Sequence, residues 1–141
     1  MTHITNSTRY DNDSLAKGRH SELIAITALL ANGWTVLEPA VPEVYDLAIV
    51  RPGDTEIKRV QVKTASVRER LGVEWLTVTG RRNKGRTYST DEVDYMIGVH
   101  DGVAYMFACR GITDYWFKLA ELDAKTTKLD ASIANIGEAL Q

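Results

Sequence analysis

The chain has 141 residues, of which 44% are hydrophobic and 26% are charged, and its formal net charge is −2. This composition is typical of a globular protein, and the length predicts a single domain over residues 1–141. No apolar run approaches the roughly 20 residues of a membrane span, and residues 1–12 lack the layout of a signal peptide. Cys109 has no second cysteine to pair with, so a passive buried thiol in a reducing cytoplasm is expected.

The small net charge conceals a basic segment. Residues 58–86 contain nine lysines and arginines but only two glutamates, which gives them a charge of +7 against −9 for the rest of the chain. A local excess of this kind predicts a cationic face that meets a polyanion. The alternative is a solvated loop that contributes only solubility.

The first half of the chain predicts a helix followed by three strands. Asp13 or Ser14 is a suitable N-cap for a helix that runs to about Asn32 and is closed by Gly33. Residues 1–12 are expected to form a flexible arm ahead of this helix. The predicted strands are residues 34–37, 46–51 and 57–65, the last two joined in a hairpin around Pro52-Gly53-Asp54.

The second half predicts three more strands and a final helix. The strands are residues 73–79, 93–99 and 103–109, the last two joined at the turn Asp101-Gly102, and residues 80–90 form a polar loop. Residues 116–122 fit either a helix or a strand, and Asp130 caps a helix to about residue 140. Residues 111–141 are thus expected to be a C-terminal extension with a helix. The order of elements predicts an α/β (α+β) fold with a mixed sheet.

Three polar residues stand out in the first predicted hairpin. Gln61 and Lys63 are separated by one residue, so in a strand they point to one side while Val60 and Val62 point to the other. Asp46 opens the neighbouring strand, although aspartate disfavours strands. The hairpin therefore predicts that Asp46, Gln61 and Lys63 converge on one small volume.

Glu22 is a fourth candidate. It shares the helix face of Ala25 and Leu29, which is predicted to pack on the sheet. A carboxylate at such a position has to be paired or bind a cation, because burying it bare is costly. The alternative is an exposed edge position, or a salt bridge to Arg19 or Lys17.

The oxygen atoms of these residues suit Mg²⁺, which prefers one or two carboxylates together with waters and phosphate oxygens. Asp46 offers a carboxylate, Gln61 an amide oxygen and Val62 a backbone carbonyl. Lys63 is suited to hold a phosphate oxygen or to lower the pKa of an attacking water. The alternatives are that Asp46 is a turn residue and Lys63 an ordinary surface lysine.

Taken together, the pattern Lys17-Gly18-Arg19, Glu22, Asp46-Leu47 and Gln61-Val62-Lys63-Thr64 resembles the PD-(D/E)XK nuclease superfamily. The resemblance is closest to the intron-encoded homing endonucleases, and the runs 81–88 and 92–95 are similar to that branch too. The Lys-Gly-Arg start also resembles archaeal Holliday junction resolvases. The resemblance covers about residues 14–110.

The resemblance implies a restriction-endonuclease-like mixed β-sheet flanked by helices, and a Mg²⁺-dependent DNA endonuclease in which Mn²⁺ substitutes. Asp46 would be the central metal ligand, Gln61 would occupy the variable acidic position, and Glu22 and the Val62 carbonyl would complete the metal shell. Lys63 would be the family lysine. Gln61 is neutral where most members carry Asp or Glu, which removes one charge from the site. A homodimer or homotetramer in the cytoplasm of a bacterial, phage or archaeal host cell is expected.

The basic segment supplies the candidates for DNA contact, because lysine and arginine contacts to phosphates provide most sequence-independent affinity. These candidates are Arg81, Arg82, Lys84, Arg86 and Tyr88. The acidic run Asp91, Glu92 and Asp94 is expected to serve turn chemistry and one buried structural contact. Two alternatives to a homing-like endonuclease stay open: a Holliday junction resolvase, and a catalytically inactive DNA-binding module with the same fold.

Overall fold

The computed structural model describes residues 2–82 and 85–130, and for residues 2–12 it describes the backbone alone. Helix α1 (Thr2–Ala31) opens the chain. It ends before Gly33, whose φ of +80° is a left-handed conformation that suits glycine and closes a helix. The helix begins ahead of the predicted cap at Asp13 or Ser14, since none of residues 2–12 is a proline or glycine that would interrupt it.

The described residues form nine strands and a second, short helix. The strands in chain order are β1 (Thr35–Leu37), β2 (Leu47–Val50), β3 (Ile57–Thr64), β4 (Ser66–Arg70), β5 (Val73–Thr79), β6 (Tyr95–His100), β7 (Val103–Ala108), β8 (Asp114–Lys118) and β9 (Thr127–Leu129). A 3₁₀ turn (Leu119–Glu121) and helix α2 (Leu122–Lys125) connect the last two strands.

Six of these strands build a mixed sheet in the order β1-β2-β3-β6-β7-β9. Neighbouring strands in this sheet are antiparallel, except for β3 and β6, which run parallel with Val60 opposite Tyr95. A parallel pair requires a crossover connection between its strands. Here β4 and β5 lie within the crossover and pair with β8 as a separate three-stranded sheet in the order β4-β5-β8.

Both faces of the six-stranded sheet are covered. Helix α1 packs on one face, where Leu29 joins Val60 and Val62 in the first core cluster. The three-stranded sheet packs on the other face, and a Cβ added to Gly98 would lie only 2.6 Å from Cγ2 of Val78, so the two sheets approach closely there. Even-numbered residues of β3 therefore face the helix, while Gln61 and the odd-numbered residues face away from it.

The predicted α+β class with a mixed sheet is confirmed, and both predicted hairpins are present. In the described part of the chain, however, a small sheet rather than a helix covers the second face. The prediction also missed β4, whose charged residues hide its alternation, and β9 in the expected C-terminal extension. Residues 116–122 are the end of β8, the 3₁₀ turn and the start of α2. The helix predicted from Asp130 onward lies outside the described residues.

None of the helices in the described ranges is long and apolar enough to span a membrane.

Candidate functional site

Asp46 lies at the entrance of β2 and is held against β3 by two hydrogen bonds. Its N–H donates to the carbonyl oxygen of Val60 over 2.9 Å, and its Oδ2 accepts the N–H of Val62 over 3.0 Å. The carboxylate thus takes the place of a backbone acceptor at the end of the β2–β3 ladder. This fixes its orientation at the edge of a cleft.

Gln61 is the most unusual residue of this region. Its side chain is polar and only 7% exposed, yet its Oε1 atom has no hydrogen-bond partner among the described residues. Most buried side-chain oxygens are hydrogen bonded, because an unpaired buried acceptor costs about 1–3 kcal/mol. Since Gln61 also lines the cleft beside Asp46, its amide oxygen is available to a ligand that supplies positive charge or a donor.

The cleft between α1 and the start of the β2–β3 hairpin has a volume of about 350 Å³. It is lined by Ser14, Lys17, Gly18, Glu22, Asp46, Gln61, Val62, Lys63 and Thr64. A Cβ added to Gly18 would contact nothing within 4 Å, so the missing side chain keeps this wall of the cleft open. A hydrogen bond of 2.6 Å between Oγ of Ser21 and Oγ1 of Thr64 ties the helix to β3 beside the cleft.

Both carboxylates of the cleft have raised pKa values. Burial raises the pKa of Glu22 above its ordinary value, and the nearby charge of Asp46 raises it further, while Arg19 opposes the shift. Burial also raises the pKa of Asp46, against the lowering effects of the Val62 N–H and of Lys63. A cation bound between these groups would offset both the desolvation and the repulsion.

Lys63 is half-buried at the opposite side of the cleft from the helix. Its Nζ donates to the carbonyl oxygen of Arg81 over 3.0 Å and lies 5.2 Å from the ring centroid of Tyr88. Burial lowers the pKa of Lys63 below its ordinary value, and the charge of Asp46 opposes that shift. The amine is therefore positioned by one backbone acceptor and one aromatic face, with no carboxylate in direct contact among the described residues.

The donor set fits a hard divalent cation. In the part of the chain that the structure describes, no three His, Cys, Asp or Glu side chains come together in the manner of a metal cluster. The cleft instead offers two carboxylates, from Glu22 and Asp46, and the unpartnered amide oxygen of Gln61. Two carboxylates with further oxygen ligands match the preference of Mg²⁺ for few protein ligands, with water and phosphate oxygens completing the shell.

The predicted DNA-contact residues have different surroundings. Arg82 is neutralised, because its Nη1 lies 2.6 Å from Oε2 of Glu92. Arg81 is exposed, with its Nη2 3.9 Å from Oδ2 of Asp114, and Arg86 is exposed at the end of the loop. Lys84 lies outside the described residues. Among the described cations of this loop, Arg81 and Arg86 are therefore the ones most available to a phosphate.

Tyr88 does not stand on the surface. It is 9% exposed and belongs to the second core cluster. The guanidinium carbon of Arg82 lies 5.8 Å from the ring centroid, and Lys63 lies over the same ring. A ring this deeply buried offers a nucleic acid little surface, and its contacts instead position the two cations above it.

The acidic run that follows the basic loop serves structure. Glu92 accepts hydrogen bonds from the N–H and the hydroxyl of Ser89, and Asp94 accepts the N–H and Nε of Arg59. These contacts agree with the expected turn chemistry and structural contact. Cys109 is buried, as expected, with its Sγ 3.5 Å from the carbonyl oxygen of Tyr88.

Sequence patterns predicted four of the side chains that line the cleft, but they missed the groups that hold them. Ser21 was not assigned a role, and Arg81 and Tyr88 were assigned to DNA contact rather than to the positioning of Lys63, since these contacts join segments that are distant in the chain. Lys17 offered a signal, because it begins the Lys17-Gly18-Arg19 run that carries part of the family resemblance. The structure places it on the wall of the cleft.

Comparison with known proteins gives one family and one related fold. A family model described as PD-(D/E)XK endonuclease matches residues 12–128, which is most of the chain. The solved structure of a bacterial homing endonuclease, I-Ssp6803I, is similar with a TM-score of 0.54 and 24% sequence identity, over 72% of this chain and 72% of that chain. At this identity the likeness concerns the fold. No curated protein sequence matches the chain.

Proposed function

The chain belongs to the PD-(D/E)XK endonuclease family, and on that premise we propose that it is a Mg²⁺-dependent endonuclease that hydrolyses phosphodiester bonds in DNA. The observation that carries the proposal is the unpartnered Oε1 of buried Gln61, which lines one cleft together with two carboxylates of raised pKa. A site built in this way is less stable without a cation than with one.

In this proposal Glu22, Asp46, Gln61 and the Val62 carbonyl hold the cation, with Mn²⁺ able to substitute for Mg²⁺. When bound, such a cation polarises a phosphate oxygen and lowers the pKa of a water molecule. Lys63 is a catalytic residue in this scheme: its ammonium group offsets the negative charge that develops on the phosphate during attack. Tyr88 and the Arg81 carbonyl keep that group in place.

One cleft of this kind acts on one phosphodiester bond at a time. Two strands are cut in register when two copies are related by symmetry, so we propose a homodimer or homotetramer as the form that acts on duplex DNA. The expected location is the cytoplasm of a bacterial, phage or archaeal host cell.

The test uses supercoiled plasmid, linear duplex and a four-way junction, each incubated with the protein in Mg²⁺, in Mn²⁺ and in EDTA. Nicking of plasmid in either metal and none in EDTA is the expected result. Cleavage confined to the four-way junction would instead identify a junction resolvase. Binding of DNA without cleavage in either metal would identify an inactive DNA-binding module and contradict the proposed activity.

Gln61 provides a prediction about metal affinity. Replacing it with glutamate adds a negative charge where the neutral Oε1 lies, so the Mg²⁺ concentration at half-maximal nicking should fall severalfold. Replacing it with methionine keeps the size and removes the oxygen, so that concentration should rise. Thermal stabilisation of each variant by added Mg²⁺ measures the same affinity without turnover.

The Mg²⁺ concentration at half-maximal nicking is expected to change in opposite directions in the two Gln61 variants. A general effect of altered packing on the site would not produce this pattern. We predict no direction of change for the nicking rate at saturating Mg²⁺, because an added charge also displaces water. If neither the nicking midpoint nor the thermal response changes in both folded variants, Gln61 is not part of the metal shell.

The basic loop provides a prediction about DNA affinity. Arg81 and Arg86 are exposed, whereas removing Arg82 would break its ion pair with the Glu92 carboxylate. The double variant Arg81→Gln and Arg86→Gln should therefore bind duplex DNA more weakly, with a log–log salt slope smaller by about 0.9 for each phosphate that is no longer neutralised. Nicking at saturating DNA should change little.

The matched control for this experiment removes two cations from distant places. Arg51 follows β2 at the end opposite Asp46 and lies over Trp34, and Lys128 lies on the edge strand β9. We call Arg51→Gln with Lys128→Gln the remote double variant. Equal salt slopes for the loop variant and the remote double variant would mean that the loop does not bind phosphates.

A further inference from the structure

The outer face of the three-stranded sheet carries a set of cations and aromatic rings. Side chains alternate along each strand, and Leu76, Val78, Tyr115 and Phe117 fill the core on the inner side. The register pairs Arg68 with Trp75 and Trp75 with Lys118, and it pairs Thr77 with Trp116. The outward side therefore carries Ser66, Arg68, Arg70, Val73, Trp75, Thr77, Thr79, Asp114, Trp116 and Lys118, of which Thr77 is buried.

Two of these cations are held over indole rings. The guanidinium carbon of Arg70 lies 4.8 Å from the ring centroid of Trp116, and Nζ of Lys118 lies 5.5 Å from that of Trp75. The two rings support each other in an edge-to-face contact with their centroids 6.1 Å apart. An aromatic face restrains a cation but leaves its charge in place, so less side-chain entropy is lost when the cation meets a phosphate.

The three cations of this face are not held in direct ion pairs, although the charge of Lys118 acts on Glu121 and lowers the pKa of that carboxyl. Within the described ranges, Arg68, Arg70 and Lys118 form no salt bridge, in contrast to Arg59 with Asp94 and Arg82 with Glu92. The one acidic residue on the same face is Asp114, which is 3.9 Å from Arg81. A chain with a net charge of −2 thus presents, among its described residues, three cations without a salt bridge on one small sheet.

The face continues from the cleft of the candidate site. A hollow of about 250 Å³ lies beside Arg68 and Trp116, with the carboxylate of Asp114 and Val78 also in its wall. Its other lining residues carry hydroxyl groups, namely Thr64, Ser66, Thr77 and Thr79. Thr64 lines both this hollow and the cleft with Asp46. Side chains that carry a hydroxyl group or a positive charge are among those that contact the phosphates of DNA.

We propose that the outer face of the β4-β5-β8 sheet is a second DNA-contact surface, on which Arg68, Arg70 and Lys118 bind phosphates of the duplex that extends from the cleft. This inference rests on the proposed function in one respect, namely that DNA occupies the cleft. A duplex is favoured because the two indole rings are already covered by cations, so the face offers charges rather than open rings for unpaired bases.

The test compares two double variants, in each of which two cations are replaced by neutral glutamine. Arg70→Gln with Lys118→Gln changes the sheet face, and the remote double variant is the control, since it also removes an arginine that lies over an indole ring. Affinities are measured by fluorescence anisotropy in EDTA over a range of salt, with duplexes of about one and two helical turns, roughly 34 and 68 Å.

The sheet variant should bind the longer duplex roughly tenfold more weakly than the control, with a log–log salt slope smaller by about two. The difference should shrink on the one-turn duplex, because a shorter duplex offers fewer phosphates beyond those bound at the cleft. Arg68→Glu, at an exposed residue without a stacking or ion-pair contact, provides a second variant if removal of the stacked cations impairs folding, and it should weaken binding likewise.

Equal affinities and salt slopes for the sheet variants and the control would overturn the inference, even if the protein nicks plasmid normally. The opposite outcome, in which binding depends on the face but no metal supports cleavage, would overturn the proposed activity and leave the surface intact. A change in oligomeric state of the sheet variant, measured by sedimentation, with unchanged DNA binding would identify a contact between copies and also overturn the inference.

Discussion

Replacing Asp46 with asparagine is expected to lower the rate of metal-dependent nicking by about a thousandfold, which corresponds to roughly 4 kcal/mol of lost transition-state stabilisation. Asparagine keeps an oxygen that accepts the Val62 N–H, so the end of the β2–β3 ladder should stay intact. The substitution removes the negative charge that the proposed cation requires. The measurement is single-turnover nicking of supercoiled plasmid at saturating protein.

The matched control is Asp54→Asn at the turn of the same hairpin. Asp54 also accepts backbone N–H groups, those of Thr55 and Glu56, but it is exposed and distant from the cleft. This variant should nick at the rate of the parent protein. Near-parental nicking by Asp46→Asn, with DNA binding intact, would remove Asp46 from the proposed metal shell.

The stability of the Asp46 variant separates a functional role from a structural one. The folded protein raises the pKa of Asp46 above its ordinary value of 3.8, so the folded state holds that proton more tightly than the unfolded chain. The stability contributed by this group is full below pH 3.8 and is lost as the pH rises through the raised pKa. In EDTA at neutral pH, Asp46→Asn should therefore melt at the same temperature as the parent or higher.

Added Mg²⁺ should reverse the order of the melting temperatures of the parent and Asp46→Asn. A ligand that binds only the folded state stabilises it more as the affinity increases, so the parent should gain thermal stability and Asp46→Asn should gain little. If the variant melts below the parent in EDTA, Asp46 serves the fold rather than the cation.

The sequence predicted the two hairpins of the six-stranded sheet, because turn residues and strand alternation are local features of the sequence. The turn residues Pro52-Gly53-Asp54 and Asp101-Gly102 mark the two hairpins of the six-stranded sheet, and strand alternation separates Gln61 from Val62. β4 was missed, because three of its five residues are charged and lie in a basic segment that is typical of a loop. Its strand character depends on pairing with β5, which tertiary structure supplies.

The positions of the candidate site residues could also be predicted from the sequence. Alternation along β3 and helical spacing along α1 brought Glu22, Asp46, Gln61 and Lys63 to one cleft. The electrostatics were not predictable, since the repulsion between Glu22 and Asp46 depends on the distance between a helix and a strand. The ion pair that neutralises Arg82 was also missed, although ten residues separate it from Glu92, because the loop between them folds back.

Lys63 is expected to have the second large effect. Lys63→Met keeps an unbranched side chain over the Tyr88 ring and removes the ammonium group, so nicking should fall by about a thousandfold while DNA binding and folding persist. Lys58→Met, on the same strand at its far end, is the control and should nick normally. Rates of single-turnover nicking and melting temperatures measure both expectations.

The pH dependence shows which form of Lys63 acts. Burial lowers its pKa below the ordinary value of 10.5, so the protein loses the charged form at a lower pH than an exposed lysine would. If the ammonium group offsets developing charge, the nicking rate should decline on the alkaline side below pH 10.5. Lys63→Arg, which stays charged throughout, should retain measurable nicking and lose that decline. A parental rate that keeps rising with pH, or a decline that persists in Lys63→Arg, would assign the charge stabilisation to another group.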